Sequence, residues 1–227
     1  MTIDLALLLQ ENVFMLVYTV VLVLSLMKYK YYYETSLKAL PILLAYIFLT
    51  EIFGVLIRDI NEVQIVFEAT YQNYNHFIYN ILDIIFFLYY FYIYYRSTSN
   101  QKLKKYIKWG TLLFCLVSIL NPFFENFILK PQLLVIFTGS AALVLFAYLY
   151  LTEYRNKPAA FSNYRKLLRW ISIGLLIFYP FYPVIIGIGQ LNEDLYYALH
   201  LRKVLLFLII VLYGCFSVGF LRMGKTS

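Results

Sequence analysis

The stretch from His76 to Tyr95, HFIYNILDIIFFLYYFYIYY, is apolar enough to cross a bilayer, yet its first half carries His76, Asn80 and Asp83. A helix needs about 20 such residues to span the hydrocarbon core. Spacings of four and three residues stack side chains above one another on a helix, so these three polar residues share a face that continues through Phe87, Tyr90 and Tyr94. A carboxylate within the membrane costs roughly 2.5 to 3.5 kcal/mol on insertion scales, so Asp83 is expected to turn into a bundle and meet a partner or water there. The rest of the chain reads as what surrounds that face.

The chain has 227 residues, 63% of them hydrophobic and only 14% charged, with 24 Tyr and 20 Phe. A soluble domain of this size would need far more polar surface. Seven stretches reach spanning length, at about 5–27, 38–57, 75–95, 107–128, 131–152, 168–189 and 196–221, and the connections between them are short. The expectation is a single all-α membrane domain over residues 1–227, a bundle of seven transmembrane helices. The first stretch has no basic region ahead of it and no small-residue cleavage site behind it, so it reads as a retained span rather than a signal peptide.

The net charge of +7 looks at first like a nucleic-acid signature, but the positions of the charges assign it to topology. One side of the membrane receives Lys28, Lys30, Lys38, Arg96, Lys102, Lys104, Lys105, Lys108, Arg155, Lys157, Arg165, Lys166, Arg169, Arg222 and Lys225, which is 15 of the 19 basic residues. The opposite side holds Arg58, Lys130, Arg202, Lys203 and ten of the 12 acidic residues. By the positive-inside rule the amino terminus is outside and the carboxyl terminus cytoplasmic. The partner of these loops is the lipid bilayer and no nucleic acid is expected, because basic loops beside lipid meet anionic headgroups. Cys115 and Cys215 fall in the cytoplasmic halves of their spans and read as packing thiols.

Depth gives the functional signal. Glu11, Glu51, Asp83, Glu125, His200, Arg202 and Lys203 all lie in the outer halves of their spans, with His76, Asn80, Asn121 and Gln132 near them, while the inner halves are almost free of charge. Two arrangements fit. One is a polar chamber open to the outside that holds a small-molecule ligand or ion; the other is a sealed network of interhelical pairs that fixes helix rotation. In either, the expected partner of Asp83 is Lys203 or Arg202 of the last span, and that of Glu51 is a basic group such as Arg58. Pro122 is expected to kink the fourth span in its outer half, and Pro180 with Pro183 to break the sixth, a feature that often lines cavities. The acidic loop after the second span reads as a connector or a lid.

Several chemistries fail on inventory. A retinal Schiff base needs a lysine near the middle of the last span, where Lys203 is too close to the outer end. Seven-span zinc hydrolases supply three histidines and an aspartate, whereas this chain has two histidines in all, so no metal is expected. There is no Gly-rich phosphate loop, paired Cys motif or nucleophile elbow, so neither a cofactor nor an enzymatic activity is expected. Pro131 and Gln132 form a PQ pair that resembles that of the PQ-loop transporters; there the pair recurs within the first and fifth spans, and here it occurs once, at a helix start where proline is favoured anyway.

With Glu51 late in the second span, Asn80 and Asp83 in the third and Trp170 to Gly174 (WISIG) in the sixth, the chain resembles small bacterial seven-span proteins rich in Tyr, Phe and Ile. It also resembles the seven-span sensor modules of bacterial histidine kinases, with the difference that no output domain follows Arg222. These resemblances imply a multi-pass protein of the bacterial inner membrane, a sensor or accessory protein that passes a signal to a separate protein. A small-solute or proton-coupled transporter is the alternative.

Overall fold

The structure, a computed structural model, describes residues 13–59, 75–156 and 163–224. Every regular element among them is helical: α1 Val13–Met27, α2 Leu40–Asp59, α3 Asn75–Ser97, α4 Gln101–Leu120, α5 Leu133–Asn156, α6 Asn163–Phe178, α7 Tyr182–Leu191, α8 Glu193–Ala198 and α9 Leu201–Leu221. Five runs are long and apolar enough to cross a membrane, namely α3, α4, α5, α9 and the combined 29-residue run Asn163–Leu191; Phe14–Met27 and Leu40–Gly54 are shorter apolar helices. The chain is thus an all-helical, multi-pass membrane protein.

Six units close a ring, in which α1 packs on α2, α2 on α3, α3 on α5, α5 on α6, and α6 on α9, which returns to α1. Helix α4 stands outside it, against α3 and α5. The ring is cemented by aromatic side chains, which bury the largest apolar area per residue. On α3, fully buried Phe87 and Phe91 meet Phe114 of α4 at 5.5 and 5.3 Å between ring centroids, and Phe91 meets Phe146 of α5 at 5.0 Å. Where helices must come closer still, glycine removes the side chain. Gly139 of α5 sits against the Phe87 ring, and on the α6–α9 crossing Gly174 and Gly219 face Leu212 and Leu167 of the opposite helix.

Three helix ends differ from the sequence expectation. α4 starts at Gln101, well before residue 107, because the Asn100 side chain caps it by accepting from the Lys102 amide at 2.9 Å. Lys102, Lys104, Lys105 and Lys108 therefore ride on the helix rather than on a loop. At its other end α4 stops at Leu120 instead of kinking: Asn121–Phe123 tighten into a 3-10 turn with Pro122, which has no amide to give, in its first turn. The last long helix begins at Leu201 rather than 196, since His200 adopts a left-handed conformation (φ 51°) that sets α8 apart from α9.

The expected break in the sixth span is present. α6 ends at Phe178, residues 179–181 form a turn, and α7 restarts at Tyr182 with Pro183 in its first turn. The lower half packs along α9, while the upper half contacts α5, α8 and α9.

Candidate functional site

Four of the polar residues singled out by sequence are joined in one hydrogen-bonded knot. The Asn80 amide on α3 donates to the Phe127 and Lys130 carbonyls at 2.8 and 2.9 Å and accepts from the Gln132 amide at 3.1 Å. Asn121 donates to the Gln132 side-chain oxygen and to Glu125 Oε2, both at 2.8 Å, and Gln132 returns a bond to the Glu125 carbonyl at 3.3 Å. Glu125 Oε2 also accepts from the Leu133 amide at 3.0 Å, placing a carboxylate at the start of α5, where the helix dipole favours negative charge. Asn80, Asn121 and Gln132 are nearly fully buried. This knot pins the backbone between α4 and α5 onto α3 and gives part of it hydrogen-bond partners there, as backbone at the edge of a membrane requires. Gln132 of the PQ pair is one of its members.

Beside the knot, inside the ring and at the end away from Lys102, Lys104, Lys105 and Lys108, lies a cavity of about 510 Å³. Every ring helix contributes to it and α4 does not. Glu51 of α2 and Asp83 of α3, one turn along from Asn80, each bring a carboxylate to its wall. Tyr182, the first residue after the helix break, donates to Asp83 at 3.3 and 3.5 Å. Tyr18 and Tyr79 donate to the two oxygens of Glu51 at 3.4 and 3.2 Å. These bonds are long for O–H···O contacts, whose usual distance is about 2.7 to 2.8 Å. Phe86, Phe178, Tyr179 and Tyr213 supply aromatic walls, and Tyr196, Glu193 and Arg202 line the end of the cavity formed by α8 and the first turn of α9.

The remaining candidates sort by position. His76 and Asn80 line the cavity. His200 does not, its ring Nδ1 lying 2.9 Å from the Tyr197 carbonyl at the turn between α8 and α9. Lys203 is exposed and off the cavity wall. Asp83 is therefore served by a tyrosine hydroxyl in place of the expected base: with α9 beginning at Leu201, Arg202 and Lys203 occupy its first turn, nearer the rim than Asp83. Glu11, the acidic loop at 60–74 and the Arg58 side chain lie outside the described residues. Among the described residues no three His, Cys, Asp or Glu side chains come together as metal ligands.

Sequence reasoning did not pick out Tyr18, Tyr79 and Tyr182 as the hydroxyl donors. Tyr79 had a usable signal, since it precedes Asp83 by four residues and shares its side of the helix. Tyr182 had a second one, its place between the two prolines that break the span. No family model, no curated protein and no solved structure matches this chain.

Proposed function

We propose that this chain is a seven-span inner-membrane protein, amino terminus outside and carboxyl terminus cytoplasmic, whose outward-facing cavity binds a small organic cation and relays its occupancy to a separate partner protein. The supporting observation is the cavity between Glu51 and Asp83. Its volume of about 510 Å³ falls within the roughly 300 to 1,000 Å³ of small-molecule sites, and its lining is mostly apolar with a few convergent polar groups. A carboxylate offers countercharge to an ammonium group, and tyrosine and phenylalanine faces attract the same cation through their π-electrons. In this reading α1 and α2 complete the set of spans, and the basic ends of the helices face the cytoplasm.

The test is thermal stability of the purified protein in lipid nanodiscs with shape-matched probes of opposite charge, phenethylammonium and phenylpropionate. Saturation of a site at about a hundred times Kd stabilises by about 2.7 kcal/mol, or roughly 5 to 10 °C for a chain of this size. The ammonium probe is expected to give such a shift and the carboxylate none. Asp83→Asn should abolish the shift while leaving the ligand-free melting temperature within a few degrees, because Tyr182 can still donate to the amide oxygen. Equal shifts for both charges, or for neither, would refute a cation site.

Sidedness has its own check. A cysteine replacing exposed Lys130 should react with an impermeant maleimide added to intact cells, and one replacing Lys102 should react only after lysis. The reverse pattern would invert the direction of the cavity. The second reading, a transporter, is favoured by the break at residues 179–181, since broken spans line alternating-access sites. Accumulation of the ammonium probe by proteoliposomes would select it; binding without accumulation selects the sensor.

A further inference from the structure

A second concave surface lies on the outside of the ring, between α3 and α4, and has no part in the site above. Its volume is about 710 Å³. On the α4 side Lys105, Lys108, Leu112 and Cys115 follow one another at spacings of three, four and three residues, so they form a single stripe, cationic at the helix start and apolar further in. On the α3 side Leu88, Tyr92 and Tyr95 run antiparallel to that stripe, with Tyr95 at the lysine end. Lys104 is already engaged, its Nζ lying 5.6 Å from the centre of the Tyr95 ring. Lys105 and Lys108 are exposed.

From this placement we infer that the α3–α4 groove is a binding site for one anionic phospholipid, its acyl chain along Leu88, Tyr92 and Leu112 and its phosphate between Lys105 and Lys108. Length supports this occupant. From Lys105 to Cys115 the stripe rises about 15 Å at 1.5 Å per residue, half of a hydrocarbon core of about 30 Å, so the groove spans a single leaflet. Charge complementarity supports it too, because two free lysines crown an otherwise apolar channel. The position of α4 outside the ring leaves the groove open to the bilayer: only 17% of its membrane window is buried. Such a lipid completes the contact between α4 and α3 on the side where protein atoms end.

Trp109 stands in the groove, 60% exposed, and the chain has only one other tryptophan, Trp170. In a Trp170→Phe background, Trp109 fluorescence is measured in vesicles of phosphatidylcholine containing either brominated phosphatidylglycerol or brominated phosphatidylcholine at equal mole fraction. A lysine near a charged headgroup contributes about a fivefold preference. Brominated phosphatidylglycerol is therefore expected to compete for the site about 25-fold better, a factor of about five for each of the two lysines. Lys105→Gln and Lys108→Gln should each remove about a factor of five, while Lys105→Arg with Lys108→Arg keeps the preference and Lys38→Gln, on another loop, leaves it unchanged. Equal quenching by the two lipids assigns the groove to bulk lipid and overturns the inference. A preference that survives both glutamine changes overturns it as well, as does quenching by neither lipid, which would mean that a protein surface covers the groove. Helicity of each variant is measured on the same sample.

Discussion

Replacing Asn80 by leucine is expected to lower the stability of the folded protein by about 3 kcal/mol or more, the cost of taking their side-chain partner from three backbone groups at once. The Phe127 and Lys130 carbonyls lose their donor and the Gln132 amide loses its acceptor. Each orphaned group costs roughly 1 to 3 kcal/mol, and the apolar replacement fills the same volume without repaying any of it. In a protein of this length that is a drop of roughly 6 to 12 °C in melting temperature. Gln132→Leu should cost a similar amount, and the double variant should cost much less than the sum, because both changes dismantle one network. Additive losses, or a shift below about 2 °C for Asn80→Leu, would show that the knot carries little of the stability.

The α3–α5 crossing is the second place where a small change has a large expected effect. A methyl group added at Gly139 would lie 2.5 Å from two carbons of the Phe87 ring, against the about 3.5 to 4.0 Å at which carbon atoms attract. The ring cannot swing aside, being fully buried between Phe91, Phe114 and Tyr179, at 6.2, 5.5 and 5.4 Å. Overpacking of this kind costs about 1 to 3 kcal/mol, whereas the better helix propensity of alanine returns at most about 1. Gly139→Ala is therefore expected to be destabilising and Gly139→Leu to prevent assembly of the bundle. Phe87→Leu should rescue part of the alanine defect. Gly214→Ala is the control: nothing lies within 4 Å of its added methyl, so there the propensity gain should appear alone. If the two alanine variants melt alike, α3 and α5 do not cross so closely.

The apolar runs were legible because a membrane imposes one length and one composition on everything that crosses it, and the break at Pro180 and Pro183 because proline has no amide to donate. The face shared by His76, Asn80 and Asp83 was legible for the same kind of reason, a fixed helical period, and all three do line the cavity. What was not legible is how that face divides. Asn80 belongs to the knot through bonds to residues 47 to 52 positions away, and no local pattern announces partners at that distance. Asp83 invited Lys203 or Arg202 as its partner, yet Tyr182 serves it; with 24 tyrosines in the chain, residue type alone does not single that one out. Lys203 and His200 fell away from the cavity because a left-handed residue at position 200 moved the start of the last helix, and histidine does not signal that geometry in advance.

The turn at residues 179–181 also bears on how the longest apolar run is accommodated. A straight helix over the 29-residue run Asn163–Leu191 would measure about 43 Å, well beyond a hydrocarbon core of about 30 Å, and would have to tilt as a whole. Here the half below the turn is held against α9 by its glycine contacts, and the turn lets α7 take a direction of its own. Tyr182, which opens α7, holds Asp83. The turn that divides this long run thus also sets a hydroxyl against the carboxylate on the cavity wall.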